Sequence, residues 1–193
     1  MPKNVCEGCS AASDWAPDNQ HLIFRREIES SRPRLHLLDL ATGKKTLLLE
    51  HPTSALFQGN FSPDGRWITF VAAMPGCRVF IVPFRGEALI PEREWNAVSN
   101  GSSWDDKPRW SPDGNLLYFT SDRDGFVCLW AQRLNPATKR PTGAPFAIYH
   151  VHQARRSMAN VGHGPLEISV ARDKILFNMA ELTGNIWMTT LRQ

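Results

Sequence analysis

Long apolar runs are missing from this sequence, as are several motifs that would name a chemistry. No stretch approaches the ~18 uninterrupted apolar residues of a membrane helix. The opening residues, MPKNVCEGCSAASDWAPD, hold no apolar core of a secretory leader, so on a literal reading the chain is made and kept in the cytoplasm. There are only two Tyr and four Cys in 193 residues. No G-x-S-x-G elbow occurs; Gly101-Ser102-Ser103-Trp104 does not match it, which excludes a serine hydrolase of that type within this chain. No Gly-rich phosphate loop occurs either, because Gly162-His163-Gly164-Pro165 lacks the Lys and the strand-to-helix context. The net charge of +3, from 22 basic and 19 acidic residues, is small and scattered. A nucleic-acid surface would need clustered Lys and Arg. No amphipathic helix of convincing length is visible.

A repeat is present instead. Residues 110–119 read WSPDGNLLYF and residues 61–70 read FSPDGRWITF. Residues 15–24, WAPDNQHLIF, are a third copy. Residues 168–177, ISVARDKILF, read as a worn fourth copy of the same length without Pro and Gly. The closing Phe24, Phe70, Phe119 and Phe177 are 46, 49 and 58 residues apart. A strand-rich unit of about 40–50 residues is the size of a propeller blade. The turn has a mechanism. Pro63 and Pro112 preset φ, Asp64 and Asp113 can bond their own backbone two residues on, and Gly65 and Gly114 take positive φ without steric cost. Ser62 and Ser111 can lend a hydroxyl to the loop. The runs after each turn, RWITFVAA and NLLYFTS, are dense in β-branched and aromatic residues.

A further strand follows each hairpin: RLHLLDL (34–40), RVFIVPF (78–84), CLWAQRL (128–134) and NIWMTTL (185–191). Each carries a large ring third, at His36, Phe80, Trp130 and Trp187. Fourth strands are expected at TLLLE (46–50), EWNAVS (94–99) and PFAIYHV (145–151), and none in the last unit. The expected fold is all-β: one β-propeller segment over residues 1–193, with antiparallel blades at about 10–50, 51–99, 100–151 and 152–193, the last lacking its outer strand. At 42% hydrophobic residues the chain can build a core, and seven Trp with ten Phe would fill the wedges between blades.

The phrases WSPDG, FSPDG, DDKPRWSPDG, SDRDG and TGNIW resemble the TolB-like β-propeller family, a WD-like family built around an SPDG turn. The resemblance covers about residues 10–191. It implies a propeller that acts as a sensory or accessory module outside the cytoplasm, or one that sits beside the catalytic domain of prolyl-oligopeptidase-type peptidases. That family's rings reach six blades, so four repeats are expected to form an open arc of a larger ring, with further blades before Met1 and a natural end at TGNIWMTTLRQ. Only Pro2 to Val5 is left to close the last sheet. NIWMTTL is then an exposed apolar edge that favours self-association.

Candidate chemistry is sparse. Cys6-Glu-Gly-Cys9 has no second ligand pair, so a local disulfide or free thiols are expected rather than a metal. His150 and His152 form half of a zinc or copper site at most and read as a polar edge strand entering a loop, with His163 in the loop that follows. Ser121-Asp122-Arg123-Asp124-Gly125 lacks the further acidic positions of a calcium loop and reads as a hairpin turn. The Arg155-Arg156 pair reads as solvated. No catalytic residue, cofactor or metal is expected. The candidate contact residues are Trp104, Asp105 and Asp106, which the resemblance places near one face of the ring. For Asp105 and Asp106 the plainer role is bonding backbone groups between blades. Two functional readings result. One is a non-catalytic module that binds a protein or peptide; the other is the propeller of a hydrolase whose catalytic domain is not in this chain.

Overall fold

The computed structural model describes residues 4–26 and 32–190. Three four-stranded antiparallel meanders follow one another along the chain. The first contains β1 (Ala11–Trp15), β2 (His21–Arg26), β3 (Arg34–Asp39) and β4 (Lys45–Leu49). The second contains β5 (Leu56–Phe61), β6 (Trp67–Ala72), β7 (Arg78–Pro83) and β8 (Asn96–Ala97). The third contains β9 (Asp106–Trp110), β10 (Leu116–Ser121), β11 (Cys128–Leu134) and β12 (Pro141–Tyr149). The remainder is smaller: β13 (Arg156–Ser157) pairs with β16 (Ala180–Glu181), and β14 (Ile168–Val170) with β15 (Ile175–Phe177). The innermost strands β1, β5, β9 and β14 lie side by side in that order. This is the radial arrangement of propeller blades.

The SPDG turn forms as its residues dictate. Gly65 and Gly114 have φ of +69° and +68°. In the first copy Asn19 takes that position at φ 57°, a conformation Asn tolerates better than other side chains. Ser62 Oγ donates to Asp64 Oδ1 at 2.6 Å and accepts from the Trp67 N–H at 3.0 Å. Ser111 Oγ repeats this with Asp113, at 2.5 Å, and with the Leu116 N–H, at 2.9 Å. Burial opposes charge on Asp64, but the Ser62 hydroxyl and the Arg66 N–H and guanidinium outweigh it and hold the carboxyl at about 2. Successive turns touch. A Cβ at Gly65 would lie 3.8 Å from Pro17, and one at Gly114 would lie 3.7 Å from Pro63.

Between blades, the middle strands feed two cores at once. In β6 and β7, Phe70, Ala72, Phe80 and Val82 join a cluster with Ile23, Leu35 and Leu37 of the first sheet. The alternate residues Val71, Val79 and Ile81 join Trp110, Leu117 and Leu134 of the third. Both faces are apolar, so period-2 alternation sorts side chains by wedge rather than by polarity. A third cluster, with Leu129, Val151, Met158, Leu166 and Ile168, follows the third sheet. The recurrent ring positions meet in register: Phe24 faces His36, Phe70 faces Phe80, and Phe119 faces Trp130. The first two pairs stack at 5.4 and 5.5 Å, and Arg123 lies over both rings of the third. Such pairs add about 0.5–1.5 kcal/mol each beyond their burial.

The last repeat departs from the sequence-based expectation. Residues 185–190 form no strand, and Leu191 lies outside the described residues. Trp187, the large ring of the expected strand, is 87% exposed. The expected edge strand is therefore absent among the described residues. The partner it needed, β15, is three residues long and pairs only with β14 among the described residues. The turn has also lost two residues. The Ala171 N–H bonds Lys174 O, whereas in the intact copies the Ser62 N–H bonds Trp67 O and the Ser111 N–H bonds Leu116 O. Ile168–Phe177 is thus not a copy of equal length: Ser169, not the residue before Ile168, occupies the place of Asn60. The β13–β16 ribbon has no counterpart in the repeat pattern. Pro2 and Lys3, two of the residues left for closing a sheet, lie outside the described residues, and Asn4 and Val5 form no strand.

Two outcomes test the turn. Gly114→Val forces a β-branched side chain into positive φ and should cost about 1–3 kcal/mol in thermal unfolding; a variant as stable as the parent would remove the turn from the list of structural determinants. The Asp64 carboxyl is depressed from 3.8 to about 2. Its stabilisation is complete above its ordinary value and is lost as pH falls through 2. Asp64→Asn should therefore melt below the parent at neutral pH and converge on it near pH 2. A gap that does not close on acidification would show that the carboxylate charge is not what counts.

Candidate functional site

The inner strands carry polar side chains that no exposed-surface argument requires. The residue before the last aromatic of each strand is Asp14 in β1, Asn60 in β5 and Arg109 in β9. These three strands are each bulged just before that residue: the register shifts between Ala12 and Asp14, between Phe57 and Asn60, and between Asp106 and Arg109. The bulged Gln58 and Lys107 have φ of 55° and 56°. A bulge re-aims side chains, and here Asp14, Asn60, Arg109 and Ser169 line one cleft of about 740 Å³, with Trp15, Pro17, Pro63 and Pro112 at its turn-side rim.

Arg109 is the centre of this set. Its Nε donates to Ile168 O at 3.0 Å, Nη2 to Glu167 Oε2 at 2.8 Å, and Nη1 to Pro108 O at 2.8 Å and Gln58 Oε1 at 3.3 Å. One guanidinium therefore ties the second, third and fourth repeats. Burial pulls it below its ordinary value, and the charges of Glu167, Asp14 and Asp106 oppose the shift. Burial likewise raises Asp14, against the Phe61 and Trp15 N–H groups and the Arg109 charge. Asp14 Oδ2 accepts the Phe61 N–H at 2.8 Å, and the Trp110 indole donates to Asn60 O at 3.2 Å. These bonds stitch neighbouring blades along the inner strands.

Arg109 and Ser13 also border a second cleft of about 730 Å³. Its walls include Arg25, Phe57, Gln58, Cys77, Trp104, Asp106, Lys107, His163 and Glu167. Trp104 is 39% exposed, and its ring lies 4.7 Å from that of His163. The Trp104 N–H is held by Asp122 Oδ1 at 2.7 Å. Lys107 is buried and reaches Glu167 Oε1 at 3.2 Å. Burial, with the charges of Asp106 and Asp105, pushes the Cys77 thiol up to about 12, so it stays protonated at neutral pH.

Of the three sequence-derived contact candidates, Trp104 and Asp106 come together in this cleft. Asp105 does not: it is 1% exposed and pairs with Arg123 at 3.0 Å. Asp106 Oδ1 accepts the Lys107 N–H at 2.7 Å, a bond within its own blade. Ser62, Pro63, Asp64, Gly65, Ser111, Pro112, Asp113 and Gly114 occupy the two turns, and of these Ser62, Pro63 and Pro112 reach the turn-side cleft. Cys6 and Cys9 form a disulfide, and Cys77 and Cys128 are free and buried. Sequence reasoning missed Asp14, Asn60, Lys107, Arg109 and Glu167. For Asp14, Asn60 and Arg109 the available signal was their place before each turn-opening aromatic.

No family model matches the chain. An uncharacterized protein of Agrobacterium fabrum is 24% identical over 146 residues, which cover 75% of this chain and 47% of that protein. The chain thus spans about half the length of that relative. TolB from Acinetobacter baumannii superposes with a TM-score of 0.61 at 13% identity, over 91% of this chain and 41% of that one. A protein assigned as TolB from Agrobacterium tumefaciens gives 0.62 at 15% identity, over 92% and 64%. A prolyl endopeptidase gives 0.58 at 16% identity, over 93% of this chain and 26% of that one. At these identities the likeness is one of fold, and the fold is a partial β-propeller of the TolB type.

Proposed function

We propose that this chain is a non-catalytic propeller module that binds a protein or peptide segment at the cleft beneath Trp104. The observation that supports this is Trp104 itself, a half-exposed ring beside Asp106, Lys107 and Glu167 at the mouth of a cleft built from the inner strands. Trp and Arg are the residue types that dominate recognition sites when water is excluded around them. Charges of both signs line the walls, which suits a peptide presenting backbone dipoles and mixed side chains. Asp105 acts beneath the contact surface, holding Arg123 rather than a partner. If a longer parent protein carries this module, we place it outside the cytoplasm as a sensory or accessory part.

A second reading is favoured by one observation, the 93% coverage of this chain by a prolyl endopeptidase propeller. In that case the module filters or positions substrate for a catalytic domain elsewhere. The full open reading frame separates the two, because a downstream α/β domain with a G-x-S-x-G elbow would select the second.

Panning the purified chain against a random peptide library tests the binding site. Enriched peptides should lose about 2 kcal/mol of affinity, roughly 30-fold, on Trp104→Ala, as expected for an aromatic anchor. A failure to enrich any peptide, or enriched peptides indifferent to Trp104→Ala, would reject the site.

A further inference from the structure

We propose that Asp124, Cys128, His150 and His152 form a binding site for a zinc-class divalent cation. The His-Val-His spacing alone supplied only half a site. The fold supplies the other half. Asp124 stands in the β10–β11 turn, Cys128 opens β11, and His150 and His152 leave the end of β12, which pairs with β11. One ligand atom from each of the four lies within 4.8 Å of all the others.

The geometry is that of convergence on a point. His150 Nδ1 and His152 Nε2 are 3.0 Å apart, and each is 2.9 Å from the same Asp124 Oδ2. Protons cannot satisfy this triangle. A ring nitrogen carries at most one hydrogen, aimed along one edge. If both hydrogens point at the carboxylate, donor faces donor between the rings. If one bridges the rings, a lone pair faces the carboxylate. A cation satisfies all three edges. Three atoms ~3 Å apart share a point ~2 Å from each, just off their plane, the usual nitrogen- or oxygen-to-zinc distance.

The fourth ligand and the surroundings fit. Cys128 is fully buried, and its Sγ accepts the Val151 N–H at 3.3 Å. That bond ties the thiol to the residue between the two histidines and is of the kind that orients a metal-bound thiolate. On binding, the Cys128 thiol gives its proton to solvent and its sulfur lone pair to the ion. Phe126 stacks on His152 at 4.6 Å, and Trp130 meets His150 edge-on at 5.3 Å, which fixes both rings. A small cleft of about 140 Å³ beside the histidines leads to solvent. A mixed nitrogen, oxygen and sulfur set of four suits zinc better than magnesium or calcium, which prefer oxygen. A second cluster, His21, Asp39 and Glu87, does not carry the same argument, since Lys44 already neutralises Glu87 at 2.5 Å. Bound at the first site, the ion would clamp the β10–β11 hairpin to the segment that leads into the fourth repeat.

The test is titration of the full chain with Co²⁺ alone, in a Cys6→Ser/Cys9→Ser background so that this pair cannot contribute. One Co²⁺ per chain should bind with a thiolate-to-cobalt charge-transfer band, and Zn²⁺ should displace it and raise the melting temperature. His150→Gln/His152→Gln changes only half-exposed rings. It should weaken binding by ~100-fold or more, beyond the loss seen for outer-shell partners, and abolish the Zn²⁺-dependent shift in melting. No stoichiometric binding, equal binding by the double-histidine variant, or a spectrum without the thiolate band would overturn the four-ligand site.

Discussion

Everything in this chain depends on one packing constraint: a sheet that stands between two others must have both of its faces covered by them. Val71 and Phe70 are neighbours in sequence, yet they belong to different cores. Burying large side chains on both faces supplies about 1.5–3 kcal/mol for each, but only if the next blade arrives at the right distance. The repeat guarantees that distance by reusing the same turn and the same cross-strand ring pair. Where the ring pair is not made, at Phe177 and Trp187, the regular blade stops.

The polar chemistry sits where this constraint relaxes. Inner strands converge, leaving room between them that apolar rings do not fill. Bulges aim Asp14, Asn60 and Arg109 into that room, and hydrogen bonds across blades satisfy most of their polar atoms. A partly buried guanidinium with partners on three repeats is costly to leave unpaired and specific when paired. The same residues thus serve as cross-blade fasteners and as the walls of two clefts.

Much of the architecture was legible in the sequence. WSPDG and FSPDG announced the turns through residue types with known backbone preferences, and the ring third in each following run marked the strand that faces Phe24, Phe70 or Phe119. NIWMTTL shows the limit of that reading. Its pattern matches the others, but a strand exists only beside a strand, and among the described residues β15 pairs with β14 alone. The clefts were less legible. The family resemblance pointed to DDKPRW as lying near a face, yet Arg109 was not singled out. A bulge breaks the i, i+2 rule that would say where it points. Its partners are Gln58 and Glu167, about 50 and 60 residues away in sequence. Asp124 and Cys128 were read as a turn and an isolated thiol because their convergence with His150 and His152 is a property of three paired segments.

The alternation of β6 and β7 between two wedges also bears on how such a chain tolerates change in length. Adding or removing one residue inside a middle strand would swap every side chain downstream into the opposite core, large rings into places cut for Val and the reverse. Connections at the outer rim carry no such parity. The unequal distances between repeats, 46, 49 and 58 residues, are therefore absorbed outside the middle strands, in the path from β7 to β8 and in the long return from β12 to β14. Insertions and deletions across homologues should accumulate there, and the spacing from turn to closing phenylalanine should be the part of the sequence that drift leaves alone.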